Sequence, residues 1–305
     1  MKNVTKILTA AVLCAALFAS TERINSLGEN AAFWPGDEAN IAAFPMQVNN
    51  HSFLQIDGVG CDTWDSNGDC TNADDTGASL LINKDGKSWG FNYAVGSTDW
   101  VNMSWGNGDM GVIIGMEGGD DGSDMSVSWG GDFGFGEMGI HYDAPEVGDA
   151  SLSVDWRKDC GMWIFDNLVV SSGDLMADDL TFEADWFTHF DASGADVMFA
   201  MGMEYDGSDT GGITQTAAIG VEANMTDWAT LRGGYTWDYA LTNDGGATGV
   251  IAGSGFVWGL GFNWGGLTCD MSVNSQAFQD PVSTLTGQDD GASLASSALT
   301  LTYSF

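Results

Sequence analysis

Apolar and polar residues alternate with a period of two through most of this chain. One phase of residues 180–190 is almost entirely apolar and comprises Leu180, Phe182, Ala184, Trp186 and Phe190. The same pattern is present in residues 124–129, 150–157, 196–205, 255–264 and 267–274. A period of two predicts β-strands. The runs are mostly about 8 to 12 residues long, which matches strands that cross a bilayer at a tilt better than the roughly 5 to 6 residues of soluble strands.

The cost of placing charge in hydrocarbon predicts which phase faces the membrane. A charged side chain on the lipid face of a barrel is destabilising, so the polar phase is predicted to face the interior. The predicted interior residues are Asp155, Arg157, Glu183, Asp185, His189, Asp196, Glu204, Glu222, Arg232 and Asp270. Tryptophan and tyrosine residues near the ends of runs would lie at the membrane interfaces. The alternative is a soluble sandwich whose core contains the aromatic phase.

The connectors between runs predict the topology. Counted back from Phe305, tight turns such as Gly265-Gly266 alternate with longer connectors such as residues 278–295. Outer-membrane barrels have short periplasmic turns and longer outer loops, so this alternation predicts an all-β, antiparallel transmembrane barrel of about 14 to 16 strands. A tight turn is predicted at residues 158–161. The following run, residues 161–170, is apolar in both phases and fits neither face.

The N-terminal residues divide into two predicted segments. In residues 1–20, Lys2 and Lys6 precede an apolar run that ends in small residues, which is the pattern of a signal peptide. Residues 21–50 are interrupted by proline and glycine but rich in aromatic and aliphatic residues. They are predicted to form a short plug inside the periplasmic half of the barrel, with a disordered linker as the alternative. Residues 51–305 are the predicted barrel.

The charge balance is strongly acidic. Aspartate and glutamate number 43 against 8 lysines and arginines, and the net charge is −35. Nucleic acid and anionic lipid headgroups are therefore poor partners, and cations are good ones. Adaptation to a salty habitat is an equally good explanation of the acidity.

Other candidate chemistry is limited. Cys61 and Cys70 are predicted to form a disulfide in an outer loop, because the exported chain reaches an oxidising compartment. Asp65, Asn67 and Asp69 between them have part of the spacing of a calcium loop, without its first and last acidic ligands, and no other cofactor is expected. The interior phase carries histidine beside carboxylates, but no motif places a nucleophilic serine, so the chain is not predicted to be an enzyme.

Two resemblances follow from short stretches of sequence. The final residues 298–305, ALTLTYSF, resemble the closing strand of a bacterial outer-membrane barrel, which implies recognition of Phe305 by the barrel assembly machinery and residence in outer-membrane lipid. The stretches LGENAA (residues 27–32), DEAN (37–40) and WATLRGGY (228–235) are similar to the FadL-like long-chain fatty acid transporter superfamily. That resemblance implies a barrel with a plug. This chain has Phe44-Pro45-Met46 where the family has Asn-Pro-Ala, and its interior phase is polar.

These observations predict a protein of the cell outer membrane, monomeric or trimeric, that acts as a passive, cation-preferring channel for small polar solutes or ions. The alternatives are a FadL-like transporter of hydrophobic molecules, a structural surface barrel without transport, and a barrel hydrolase. An apolar pocket in the interior would favour the transporter, and an open polar bore would favour the channel.

Overall fold

The computed structural model describes residues 21–28, 30–58, 76–95, 99–118, 124–208, 211–243, 250–273 and 299–305. The predicted signal peptide, the Cys61–Cys70 disulfide and the calcium ligands Asp65, Asn67 and Asp69 lie outside these residues and stay predictions.

Sixteen strands make up most of the described chain. They are β1 (Phe53–Asp57), β2 (Thr76–Lys84), β3 (Lys87–Val95), β4 (Asp99–Gly106), β5 (Met110–Gly118), β6 (Met125–Asp132), β7 (Glu137–Ala144), β8 (Ser151–Met162), β9 (Phe165–Ser172), β10 (Thr181–Ala192), β11 (Ala195–Asp206), β12 (Gly212–Thr226), β13 (Ala229–Asn243), β14 (Val250–Trp264), β15 (Leu267–Val273) and β16 (Leu299–Ser304). Each strand pairs antiparallel with its neighbour in the chain, and β1 also pairs with β16. The prediction of an all-β, closed antiparallel barrel is therefore confirmed, with sixteen strands.

The two ends of the barrel differ in their connectors. At one end, here called the turn end, two-residue turns join the strands at Asp85-Gly86, Ser193-Gly194 and Gly265-Gly266, and both residues of each turn have positive φ. Such turns match the right-handed twist of the flanking strands. At the opposite loop end the connectors are longer, as in residues 145–150 and 173–180.

One predicted turn is wrong. The sequence favoured a turn at residues 158–161, but β8 continues to Met162 and the chain turns at Trp163-Ile164, where Trp163 has a φ of 60°. The register shifts between Asp159 and Met162. The stretch 161–170, apolar in both phases, is therefore the end of one strand, a turn and the start of the next strand, so no single alternating phase runs through it.

The outer face of the barrel is apolar. In the pair β1–β16, Leu54 lies opposite Tyr303, and both side chains are about half exposed, at 48% and 49%. Their neighbours in sequence, Gln55 and Thr302, point inward and are buried. Large exposed apolar side chains also follow the outer phase of β2, β3, β5 and β10.

Residues 21–28 and 30–50 form short helices and turns, here called the N-terminal segment. It contains α1 (Thr21–Asn25), α2 (Asn40–Ala43) and two 3₁₀ helices, η1 (Ala31–Phe33) and η2 (Pro45–Asn49). None of the helices in the described chain is both long enough and apolar enough to cross a bilayer. Apolar side chains of the segment pack against inward side chains of the strands in two clusters. One joins Phe33 and Phe44 to Phe187 and Met198, and the other joins Ile41 to Leu81.

Candidate functional site

The candidate site is the barrel interior, where inward-facing glycines bring the wall close to the N-terminal segment. Gly220 and Gly234 lie opposite each other on β12 and β13. A Cβ on Gly234 would lie 2.5 Å from the carbonyl carbon of Leu27, and one on Gly220 would lie 2.9 Å from the Leu27 oxygen. A Cβ on Gly259 of β14 would lie 2.5 Å from the Ser26 side chain. Glycine in a strand interior often marks such a close backbone approach.

The same arrangement recurs on the opposite wall. A Cβ on Gly111 of β5 or on Gly139 of β7 would overlap the carbonyl oxygens of Pro45 and Ala43, respectively. On β6, a Cβ on Gly130 would lie 2.9 Å from the Pro45 ring. The segment therefore lies across the interior, from the turn ends of β4–β7 to the middle of β12–β14.

An ion-pair network joins the segment to β12, β13 and β15. Arg23 of α1 pairs with Asp37 of the segment, and its Nε donates to Glu222 Oε2 at 3.0 Å. The same carboxylate oxygen accepts from Arg232 Nε at 2.7 Å, and Arg232 Nη1 donates to Asp270 Oδ1 at 2.6 Å. Burial disfavours the charged guanidinium of Arg23, but the neighbouring Asp37 and Glu222 outweigh this effect and raise its pKa.

A second set of contacts joins the segment to β7 and β8. Arg157 Nη1 donates to Asn40 Oδ1 at 2.8 Å and to the Ala32 carbonyl at 3.2 Å, while Nη2 donates to Glu137 Oε2 at 2.6 Å. The guanidinium carbon of Arg157 also lies 4.3 Å from the centre of the Phe44 ring. A cation above an aromatic face is attracted by the ring quadrupole.

Two inward histidines contact backbone carbonyls of the segment. His189 Nε2 lies 2.6 Å from the Phe33 oxygen, and its Nδ1 lies 3.0 Å from Asp196 Oδ1. His141 Nε2 lies 3.1 Å from the Ala43 oxygen and 3.1 Å from Asp155 Oδ2. Both histidines are therefore engaged in contacts that hold the segment.

A cavity of about 130 Å³ lies between the segment and strands β10–β13, toward the loop end. Its lining includes Phe33 and Asn30 of the segment and the carboxylates of Glu183, Asp185 and Asp238. Asp185 is only 2% exposed, and its Oδ1 accepts from Thr216 at 2.8 Å. This part of the interior is acidic, with no lysine or arginine among the residues that line the cavity.

The structure places all ten predicted interior residues in the inner phase of their strands. It separates them into three groups. The first group contacts the segment directly or through another side chain and comprises Asp155, Arg157 and His189. The second group is the ion-pair network of Glu222, Arg232 and Asp270. The third group lies toward the loop end and comprises Glu183, Asp185 and Glu204. Asp196 pairs with His189 near the turn end.

Several interior residues were missed by the sequence analysis. Glu137 and Asp238 share the inner phase of β7 and β13 and were detectable by continuing the alternation through those strands. Asp37 and Arg23 lie in the aperiodic segment, where alternation gives no signal. Glu38 of the segment is also acidic, and burial, followed by the like charge of Asp37, raises its pKa to about 8.

Within the described part of the chain, no three histidine, cysteine, aspartate or glutamate side chains converge as they would around a metal ion. Cys160 and Cys269 are free thiols.

The fold and the interior define a closed sixteen-strand barrel whose interior holds an ion-paired N-terminal segment. No protein family model and no curated protein matches the chain. Among solved structures, it is similar to the translocator domain of the autotransporter NalP from Neisseria meningitidis, with 13% identity and a TM-score of 0.23; the match covers 92% of this chain and 99% of that chain. A TM-score this low does not establish a common fold, so the assignment of the chain as a barrel depends on its strand pairing. None of these comparisons supports the resemblance to the FadL-like superfamily.

Proposed function

We propose that the protein is an outer-membrane barrel that passes small cations through a bore narrowed by the N-terminal segment. Membrane residence is supported by the two faces of the closed sheet. A soluble monomer rarely exposes a contiguous apolar patch of more than a few hundred Å², whereas apolar residues follow the outer phase of strand after strand here. A lipid-facing surface accounts for that exposure, and the polar inner phase accounts for the buried carboxylates.

Cation preference is supported by the cavity between the segment and β10–β13. Barrels of 16 to 18 strands have room for an aqueous channel, and the segment occupies only part of this interior. The remaining space borders Glu183, Asp185 and Asp238, without a neighbouring base in its lining. Carboxylates of one sign along a narrow passage concentrate cations and repel anions. No catalytic role is part of this proposal.

The test is conductance of the full protein in planar bilayers under a salt gradient, after heat-modifiable gel migration has shown that the barrel is folded. The reversal potential should indicate cation selectivity, and the pair of substitutions Glu183→Gln and Asp185→Asn should reduce it. Glu146→Gln is a matched control, because Glu146 lies in the 145–150 connector outside the strands. An anion-selective channel would contradict the proposal.

A second candidate function is a structural barrel without transport. The contacts of Arg23 and Arg157 with the wall favour it, because they hold the segment across the interior. Absence of any conductance in the same experiment would support this candidate. A carrier of hydrophobic molecules is less well supported, since the cavity is bordered by carboxylates as well as by alanine and Phe33.

A further inference from the structure

Two buried oxygen atoms on β1 lack hydrogen-bond donors. Asp57 is 5% exposed and Gln55 is fully buried, yet neither Asp57 Oδ2 nor Gln55 Oε1 has a partner among the described residues. A buried acceptor without a donor is destabilising, and more so when it is charged. Such atoms therefore require an explanation.

The other polar atoms of both side chains are engaged with β16. Thr300 Oγ1 donates to Asp57 Oδ1 at 3.0 Å, and Gln55 Nε2 donates to Thr302 Oγ1 at 3.1 Å. These bonds fix the two side chains and leave one oxygen of each free. Because they are two positions apart on one strand, both point to the same face at a spacing of roughly 6.6 Å. Both oxygens therefore face the same part of the interior.

The surroundings of Asp57 are negative. Glu22 of the N-terminal segment acts on it as a like charge, and Glu38, the other carboxyl that acts on it, has a pKa of about 8. Two arginines that contact the N-terminal segment or its ion-pair network are occupied elsewhere: Arg23 pairs with Asp37 and Glu222, and Arg232 pairs with Glu222 and Asp270. Among the described residues, no basic side chain forms an ion pair with Asp57. Buried charges in proteins are paired or coordinate metal ions.

We propose that Asp57 and Gln55 bind a monovalent metal cation of the Na⁺ class at the inner wall beside β16. Carboxylate and amide oxygens are hard donors that suit such an ion. A proton on Asp57 would convert Oδ2 into a donor, whereas a cation would leave Asp57 ionised and bind both oxygens. One carboxylate matches a single positive charge, and no three carboxylate, imidazole or thiol groups converge in the described chain to favour a divalent ion.

The experiment compares the folded, full-length barrel in NaCl and in choline chloride at equal ionic strength. Choline is too large for the site, so only Na⁺ should stabilise the protein by mass action. The midpoint temperature of the heat-modifiable transition should be roughly 2 to 4 °C higher in NaCl for a site that contributes about 1 kcal/mol. Asp57→Asn and Gln55→Leu should each abolish this difference.

A control variant separates the site from general effects of buried polar groups. Asn92→Leu removes a buried amide whose nitrogen donates to Ser79 and whose oxygen accepts from Asn102. It should keep the difference between Na⁺ and choline. If Asp57→Asn does not fold, Gln55→Leu decides.

Three results would overturn the proposal. Equal midpoints of the wild type in NaCl and choline chloride would show that a proton, not a cation, neutralises Asp57. Stabilisation by micromolar Ca²⁺ at constant Na⁺, lost in Asp57→Asn, would assign the site to a divalent ion. A Na⁺ effect that survives both β1 substitutions would place the ion elsewhere. None of these results depends on whether the barrel conducts.

Discussion

The glycines that face the N-terminal segment give a sharp test of how tightly the wall is fitted to it. In Gly234→Ala, the new Cβ would lie 2.5 Å from the Leu27 carbonyl carbon and 2.6 Å from the Gly28 nitrogen. Ordinary van der Waals contact begins near 3.4 Å, so the segment backbone must move by about 0.9 Å. Both obstructing atoms belong to the backbone, so no side-chain rotation relieves the overlap.

The size of the effect follows from the cost of overpacking. Extra methyl groups in a well-packed interior cost about 1 to 3 kcal/mol. If that cost falls on the docked segment, the equilibrium between docked and released segment shifts by roughly 5-fold to 150-fold. Hydrogen exchange measured by mass spectrometry should show this as faster exchange in peptides from residues 21–50, with the strands unchanged.

The neighbouring residue gives a matched control. Gly233 lies on the outer phase of the same strand, and its Cβ would lie 3.8 Å from the Val257 oxygen, an ordinary contact. Gly233→Ala makes the same chemical change without touching the segment. Equal exchange of the segment in Gly233→Ala and Gly234→Ala would refute the idea that the inner glycines position it.

Two further predictions concern pH and redox state. The pKa of Glu38 is about 8 in the docked segment against an ordinary value of 4.5, so docking should weaken as pH rises through that window, where only the released form is ionised. Hydrogen exchange of the N-terminal segment should vary less with pH in Glu38→Gln over the same range. A pH profile equal to that of the wild type would contradict the burial of the Glu38 carboxyl. Cys61 and Cys70 should form a disulfide, and peptide mapping under non-reducing conditions that finds both thiols free would exclude it.

The strands were predictable because apolar and polar residues alternate with a period of two, which is the period of a β-strand. Charged residues such as Glu183 and Asp270 then identify the polar phase of their strands from sequence alone. The turn at Trp163-Ile164 was not predictable, since a tryptophan with positive φ is contrary to turn chemistry and Gly161 nearby offers a more usual turn residue. The pairing between β8 and β9, rather than the residues at the turn, determines the position of the turn.

The path of the N-terminal segment was not predictable for a different reason. Its proline and glycine residues remove any period. Its position depends on contacts with strands that lie far away in the chain, as in the bond from Arg23 to Glu222 across 199 positions and the bond from Ser272 to Glu22 across 250. A signal was nevertheless present. Gly220 and Gly234 occupy the inner phase of strands whose other inward positions are mostly polar, and close backbone approach is a common reason for such glycines.

The charge balance of the interior connects its stability to the proposed permeation. Carboxylates on the α1 side of the segment include Glu22, Asp37, Glu38, Asp57, Glu222 and Asp270, and Arg23 and Arg232 pair with three of them. A proton retained by Glu38 and a cation at Asp57 would together reduce this excess. The carboxylates that are proposed to select ions, Glu183 and Asp185, lie instead on β10, in a different part of the barrel wall. Small cations are thus proposed to act on this barrel twice, through residues that single substitutions can separate: loss of Asp57 should affect sodium-dependent stability, and loss of Glu183 should affect selectivity.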